Sequence, residues 1–128
     1  MDNHVAALVV ARPGRLRDGW RALLLATGPI ERVSLADDTW TAMCMAGTLN
    51  PKLVLVDVEA FGDEARTLFA RIKAQQPACR CVALTRDTQR PEEARLAGAD
   101  AALVKGFPAA GLFETIRRLL QADELSRE

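Results

Sequence analysis

The sequence is poor in the residues on which most catalytic and metal chemistry relies. One histidine, His4, and three cysteines, Cys44, Cys79 and Cys81, are its whole stock of imidazole and thiol. His4 precedes the first apolar run and reads as an exposed terminal residue, not as a base. Cys79 and Cys81 stand one residue apart, without the second Cys/His pair that a tetrahedral zinc site needs. An odd thiol count with no secretory signal reads as ordinary reduced cysteines in a cytoplasmic protein. Charge of one sign is missing as well: 17 basic and 17 acidic side chains leave a formal net charge of zero. A nucleic-acid surface is normally distinctly basic, so no direct nucleic-acid contact is expected of this chain. The basic residues that do cluster, Arg12, Arg15, Arg17 and Arg21, read as a solvated helix face. No apolar run approaches the roughly 20 residues of a membrane-spanning helix, so no membrane partner is expected.

What is present is the make-up of a globular domain. Apolar residues are 49% of the chain, and its 128 residues suit one domain that buries about two-thirds of its unfolded surface. Short apolar runs alternate with segments of helical period, the rhythm of repeated βα units on a parallel sheet. Strands are expected at residues 5–10, 32–35, 53–57, 81–84 and 101–104. The first helix is expected over 14–26, with Leu16, Trp20, Leu23 and Leu24 inward. The second starts from Asp38 as N-cap, with Trp40, Met43, Cys44 and Gly47 inward. Asn50-Pro51 then breaks the chain.

The third helix, over 63–75, turns Ala65, Leu68, Phe69 and Ile72 to the core. A short fourth helix is expected over 91–97, with Gly98 at its C-cap. The fifth, over 108–122, buries Leu112, Ile116 and Leu119. The domain therefore covers 1–122, and 123–128 reads as a frayed tail or a truncated linker. Continuous apolar runs in four strands imply burial on both sheet faces, while the alternating "RVSL" belongs at an edge. Right-handed crossovers then favour the order 2-1-3-4-5, a flavodoxin-like (βα)5 doubly wound parallel sheet.

In such a sheet the C-terminal strand ends line one crevice, where ligands collect. Asp57 ends "PKLVLVD", Thr85 ends "CVALT" and Lys105 follows "AALV". A carboxylate, a hydroxyl and an amine therefore share one rim. Phosphoryl transfer is mainly positioning plus neutralisation of equatorial oxygens, so a lysine and a divalent cation are its expected equipment. The first strand brings only Ala11 and Arg12 there, and neither holds a metal.

The segments "ALVVARPGRLRDGWRALL", "NPKLVLVD", "VALT" and "LAGADAALVKG" resemble, in order and spacing, the signature segments of a bacterial response-regulator receiver domain of two-component signalling. The match runs from about residue 5 to residue 120, and "RDGWRALL" is similar to the first helix of the NarL-like branch. The resemblance implies a phosphorelay module, not an enzyme. Asp57 would be the phosphoacceptor for a histidine kinase, with Thr85 and Lys105 binding the phosphoryl oxygens.

Departures from the family pattern concentrate in the same crevice. The acidic pair that would hold magnesium with Asp57 is replaced by Ala11 and Arg12. One carboxylate makes a poor magnesium site, so no cofactor is expected and magnesium binding should be weak or absent. Arg12 is expected to pair with Asp57 instead. The small residue after the threonine is Arg86, and the switching aromatic three residues before the lysine is Ala102. Ala60 and Phe61 replace a Met-Pro pair, and Ala65 replaces a glycine. Glu59 adds a carboxylate at the rim that would pair with Arg12, Arg86 or Lys105. Jointly these changes imply a switch chemistry that is lost or rebuilt.

Two readings follow: an atypical receiver acting through protein contacts, and a receiver that still accepts phosphate at Asp57 as the N-terminal part of a transcription regulator. A flavodoxin-like enzyme or cofactor binder would need a Ser/Thr-rich phosphate loop after the first strand, which "ARPGRLRDG" does not supply. Phe113, Arg117 and Leu120 flank the core stripe of the fifth helix. They suggest a homodimer or partner contact through the face of helix four, strand five and helix five.

Overall fold

Alternation along the central strands explains the architecture. In β1 (Val5–Val10) and β3 (Leu53–Asp57), Leu8, Val10, Val54 and Val56 face one side of the sheet. Ala7, Val9, Leu53 and Leu55 face the other. Both faces are buried, so these strands must be apolar throughout. The computed structural model describes residues 5–86, 98–105 and 109–125, with side chains for 5–86, 98–105 and 110–120.

The remaining elements are α1 (Arg15–Ala26), β2 (Ile30–Ala36), α2 (Thr39–Leu49), α3 (Val58–Phe61), α4 (Asp63–Gln75), β4 (Arg80–Thr85), β5 (Ala101–Val104) and α5 (Ala109–Leu125). The five strands are parallel and run in the order β2-β1-β3-β4-β5, as expected. On one face α2 and α4 bury Ala42, Ala46, Leu68, Phe69 and Ile72. On the other, α1 and α5 bury Trp20, Leu24, Leu112, Ile116 and Leu119. Each large aliphatic side chain fully removed from water contributes about 1.5–3 kcal/mol, so these two layers dominate the stability. β2 is an edge strand, half-exposed along most of its length.

Several expectations need correction. Leu16 is 57% exposed, because the first turn of α1 lies above the sheet end before the helix settles on its core. In α2, Trp40 is 74% exposed and Cys44 and Gly47 are also exposed, while Ala42 and Ala46 are buried. Small alanines let α2 sit close to the sheet and turn the indole outward. Asp38 does cap α2, its carboxylate accepting the Thr41 N–H at 2.7 Å. Asn50 then takes the left-handed conformation (φ 50°) before Pro51. The turn α3 was not anticipated, and α5 runs to Leu125, past the expected end at Ala122. The expected helix over 91–97 lies outside the described residues. Gly98 has φ +111°, which favours glycine, and a Cβ there would crowd the Phe69 Cβ at 3.1 Å.

Candidate functional site

Strand register assembles the rim. Val10 is level with Val56, Asp57 with Leu84, and Thr85 with Val104. Ala11, Asp57, Thr85 and Lys105 therefore follow one another across four neighbouring strands at their C-terminal ends. The Lys105 N–H donates to the Thr85 carbonyl at 2.8 Å, which carries the sheet ladder one residue past β5.

Asp57 is 8% exposed and serves as N-cap of α3. Its Oδ1 accepts the Glu59 N–H at 3.1 Å and the Ala60 N–H at 3.3 Å, which is why the chain turns into a helix there. The same oxygen lies 2.8 Å from Lys105 Nζ, in a pair whose side chains are only 12% and 13% exposed. Among the described residues, Oδ2 has no hydrogen-bond partner.

Arg12 does not take the place expected for it. Its guanidinium donates to the Ala60 carbonyl at 3.3 Å and lies 5.6 Å from the centre of the Phe61 ring. The reason is geometric: α3 places a carbonyl and an aromatic face in front of Arg12, while Lys105 already neutralises Asp57. Beside it Ala11 is buried, and its carbonyl accepts from Arg17 Nη1 at 3.3 Å. Arg17 also pairs with Asp37 at the end of β2. Sequence reading placed Arg17 on a solvated face, and nothing in local periodicity marks it as a rim residue.

Two positions where a magnesium ion would need carboxylates thus present a methyl group and a fixed cation. Among the described residues no three His, Cys, Asp or Glu side chains come together as ligands. One carboxylate, with one oxygen already held by an ammonium and two amides, does not fit an octahedral oxygen site.

Glu59 crosses from α3 to the end of β4. Its Oε1 accepts the Thr85 hydroxyl at 3.1 Å and the Arg86 N–H at 3.1 Å. Those two hydrogen bonds, the Arg86 amide first, hold its carboxyl below the usual glutamate range, with positive Lys105 and Arg86 nearby acting in the same direction. Glu59 thus meets Arg86 through its backbone N–H, and among the described residues its carboxylate forms no ion pair with Arg12, Arg86 or Lys105. Ala102 packs half-buried on the α2–α4 core, level with Ala83.

Phe113 and Arg117 lie beside Ile116 on a groove of about 210 Å³, closed on its other side by the α1–β2 turn at Thr27–Pro29. This places them on the α1 flank of α5, and Leu120 packs against the core there. The other part of the expected face, the fourth helix, lies outside the described residues.

A scan of family models and a search of curated proteins return no match to this chain. Solved structures do match. The chain is similar to the REC domain of AraT, a response regulator from Geobacillus stearothermophilus, with TM-score 0.81 and 19% identity over 97% of this chain and 98% of that one. A LuxR-family two-component response regulator from Aurantimonas sp. gives 0.80 and 22%, covering 91% and 85%. The signal receiver domain of a DNA-binding response regulator from Colwellia psychrerythraea gives 0.79 and 19%, covering 91% and 98%. Strand order, crevice and near-complete coverage agree: the chain has the fold of a response-regulator receiver domain.

Proposed function

We propose that this protein is an atypical receiver: a non-enzymatic signalling module whose output is protein contact, without magnesium-dependent aspartyl phosphorylation. The carrying observation is the pairing at Asp57, whose Oδ1 is taken by Lys105 and two amides. Ala11 and Arg12 meanwhile occupy the cation side of the crevice, and Arg12 is anchored on α3. A guanidinium supplies charge but cannot coordinate nucleophile and phosphoryl oxygen together, as a metal does. The module works in the cytoplasm with a partner protein or a second copy of itself. We assign part of that contact to α5 around Phe113 and Arg117. Phe113→Glu followed by sedimentation reads this out: a dimeric parent and a folded monomeric variant support it, and an unchanged assembly removes it.

A second reading is favoured by one feature, the Oδ2 of Asp57, which has no hydrogen-bond partner among the described residues. That oxygen is the atom that would attack a phosphohistidine, with Lys105 and Arg12 standing in for the metal. The protein would then be a phosphoaccepting receiver, in the setting of a histidine kinase and a transcription regulator. Incubation with acetyl phosphate and magnesium, followed by intact mass, separates the two. The expected result is unmodified protein. Stoichiometric phosphorylation at Asp57 rejects the atypical reading.

A further inference from the structure

Two donors from consecutive residues, a side-chain hydroxyl and a backbone amide, converge on a single oxygen at the end of β4. The Thr85 hydroxyl and the Arg86 N–H both reach Glu59 Oε1 at 3.1 Å. The ammonium of Lys105 is near enough to bias the same carboxylate, although it is bonded to Asp57. A hydroxyl and a backbone amide converging on one spot, with a cation nearby, form a seat for an anionic oxygen. Glu59 reaches that seat from 26 residues away in sequence, across the gap between β3 and β4. The residue itself is exposed, so apolar packing does not hold it there.

We infer that Glu59 is a tethered anion that fills this oxyanion seat, so that Thr85 and Arg86 are held by a side chain of the protein itself. The inference rests on the reading of the crevice as a receiver site and adds what occupies it. α3 makes the reach possible. Asp57 caps that turn by accepting the Glu59 N–H, which fixes the glutamate backbone beside the nucleophile position. One short segment thus presents two carboxylates to two separate cradles: Asp57 to Lys105, and Glu59 to Thr85 and Arg86. A free oxyanion such as inorganic phosphate then has to displace Glu59 before it can use these donors. A competent seat that is nine-tenths occupied by its tether binds a free ligand about tenfold more weakly.

The test uses unphosphorylated protein without magnesium and follows the Arg86 amide resonance while inorganic phosphate is added. Three proteins are compared: the parent, Glu59→Gln and Glu59→Ala. Retained burial of Trp20, seen in its fluorescence, reports that each is folded. The alanine variant is expected to shift the Arg86 amide at once and then to answer phosphate with a saturable titration. The glutamine variant keeps an acceptor oxygen without the charge, so its response falls between alanine and parent. The parent responds at least about tenfold more weakly than alanine. Equal responses in all three, or none in any, overturn the inference. Neither depends on whether acetyl phosphate labels Asp57, so this failure is separable from failure of the functional reading.

Discussion

Two lysine–aspartate pairs close opposite ends of the same sheet, and they are built differently. At the N-terminal end, Asp100 Oδ2 accepts from Lys73 Nζ at 2.6 Å and from the Cys81 N–H at 2.7 Å. Its Oδ1 lies 3.9 Å from Arg80 Nη1, and its own N–H donates to the Cys81 carbonyl at 2.7 Å. Lys73 in turn reaches the Cys79 carbonyl at 2.7 Å. Two donors converge on Oδ2 and a second cation, Arg80, stands off Oδ1, so the cluster locks α4 to the starts of β4 and β5. At the C-terminal end, Lys105 holds Asp57 through one oxygen only. The difference separates structural from chemical use of one residue pair: a carboxylate set between two cations and a strand amide is a brace, and one that faces a single ammonium and the amides of its own turn is available for chemistry or contact.

The largest expected effect is on stability, at the brace. Asp100→Ala leaves the Cys81 N–H and the Lys73 ammonium without their carboxylate in a mostly buried corner. It should cost about 2 kcal/mol in urea unfolding, within the range for removing one partner of a buried polar cluster. Asp57→Asn should cost less than about 1 kcal/mol, because an amide oxygen still accepts at Oδ1 and, among the described residues, no donor faces its NH2. Equal losses for the two would break the comparison.

Next in size is metal binding. Ala11→Asp combined with Arg12→Asp restores oxygen ligands beside Asp57, and magnesium should then give a saturable change in amide shifts. The parent should give none. Saturation in the parent at millimolar magnesium would show that the C-terminal pair opens for a cation.

Thiol reactivity tests the brace from its other side. Cys44 is exposed, whereas Cys79 and Cys81 are buried. Their shared thiol hydrogen bond, then burial, pushes the Cys81 thiol up and keeps it unreactive. Under native conditions iodoacetamide should label Cys44 alone, with the other two modified only on unfolding. Labelling of Cys79 as fast as Cys44 would mean that the corner opens.

The smallest effect is a pH dependence at the rim. The folded state holds the Glu59 carboxyl below the usual glutamate range. Its contribution is therefore complete above the unfolded value, about 4.3, and declines as pH falls through the folded one. The stability difference between the parent and Glu59→Gln should be flat from pH 7 to about pH 5 and shrink below it. A difference that grows on acidification would contradict the contact with Thr85 and Arg86.

Legibility in the sequence followed the contrast between apolar and polar positions. In α4, charged residues alternate with Ala65, Leu68, Phe69 and Ile72 at helical spacing, and all four are buried as expected. In α2, "TWTAMCMAGTL" is apolar almost all round, so the period offers no preferred face and the inward side was misassigned. The turn α3 is too short to show a period. Its one signal was an aspartate able to accept the amides two and three residues on.

The sequence by itself determined the sheet: apolar runs set which strands lie inside, the alternating run set the edge, and chain direction put Asp57, Thr85 and Lys105 at one end. It did not determine how the charges there pair. Among the described residues four cations, Arg12, Arg17, Arg86 and Lys105, share the rim with Asp37, Asp57 and Glu59, and several pairings suit the composition equally well. Tertiary structure decided among them. Register set Lys105 beside Asp57, α3 offered Arg12 a carbonyl and a ring, and the β4 end offered Glu59 a hydroxyl and an amide. Partner choice at this rim depends on angstrom-scale reach between residues 20 to 48 positions apart, which local periodicity does not encode.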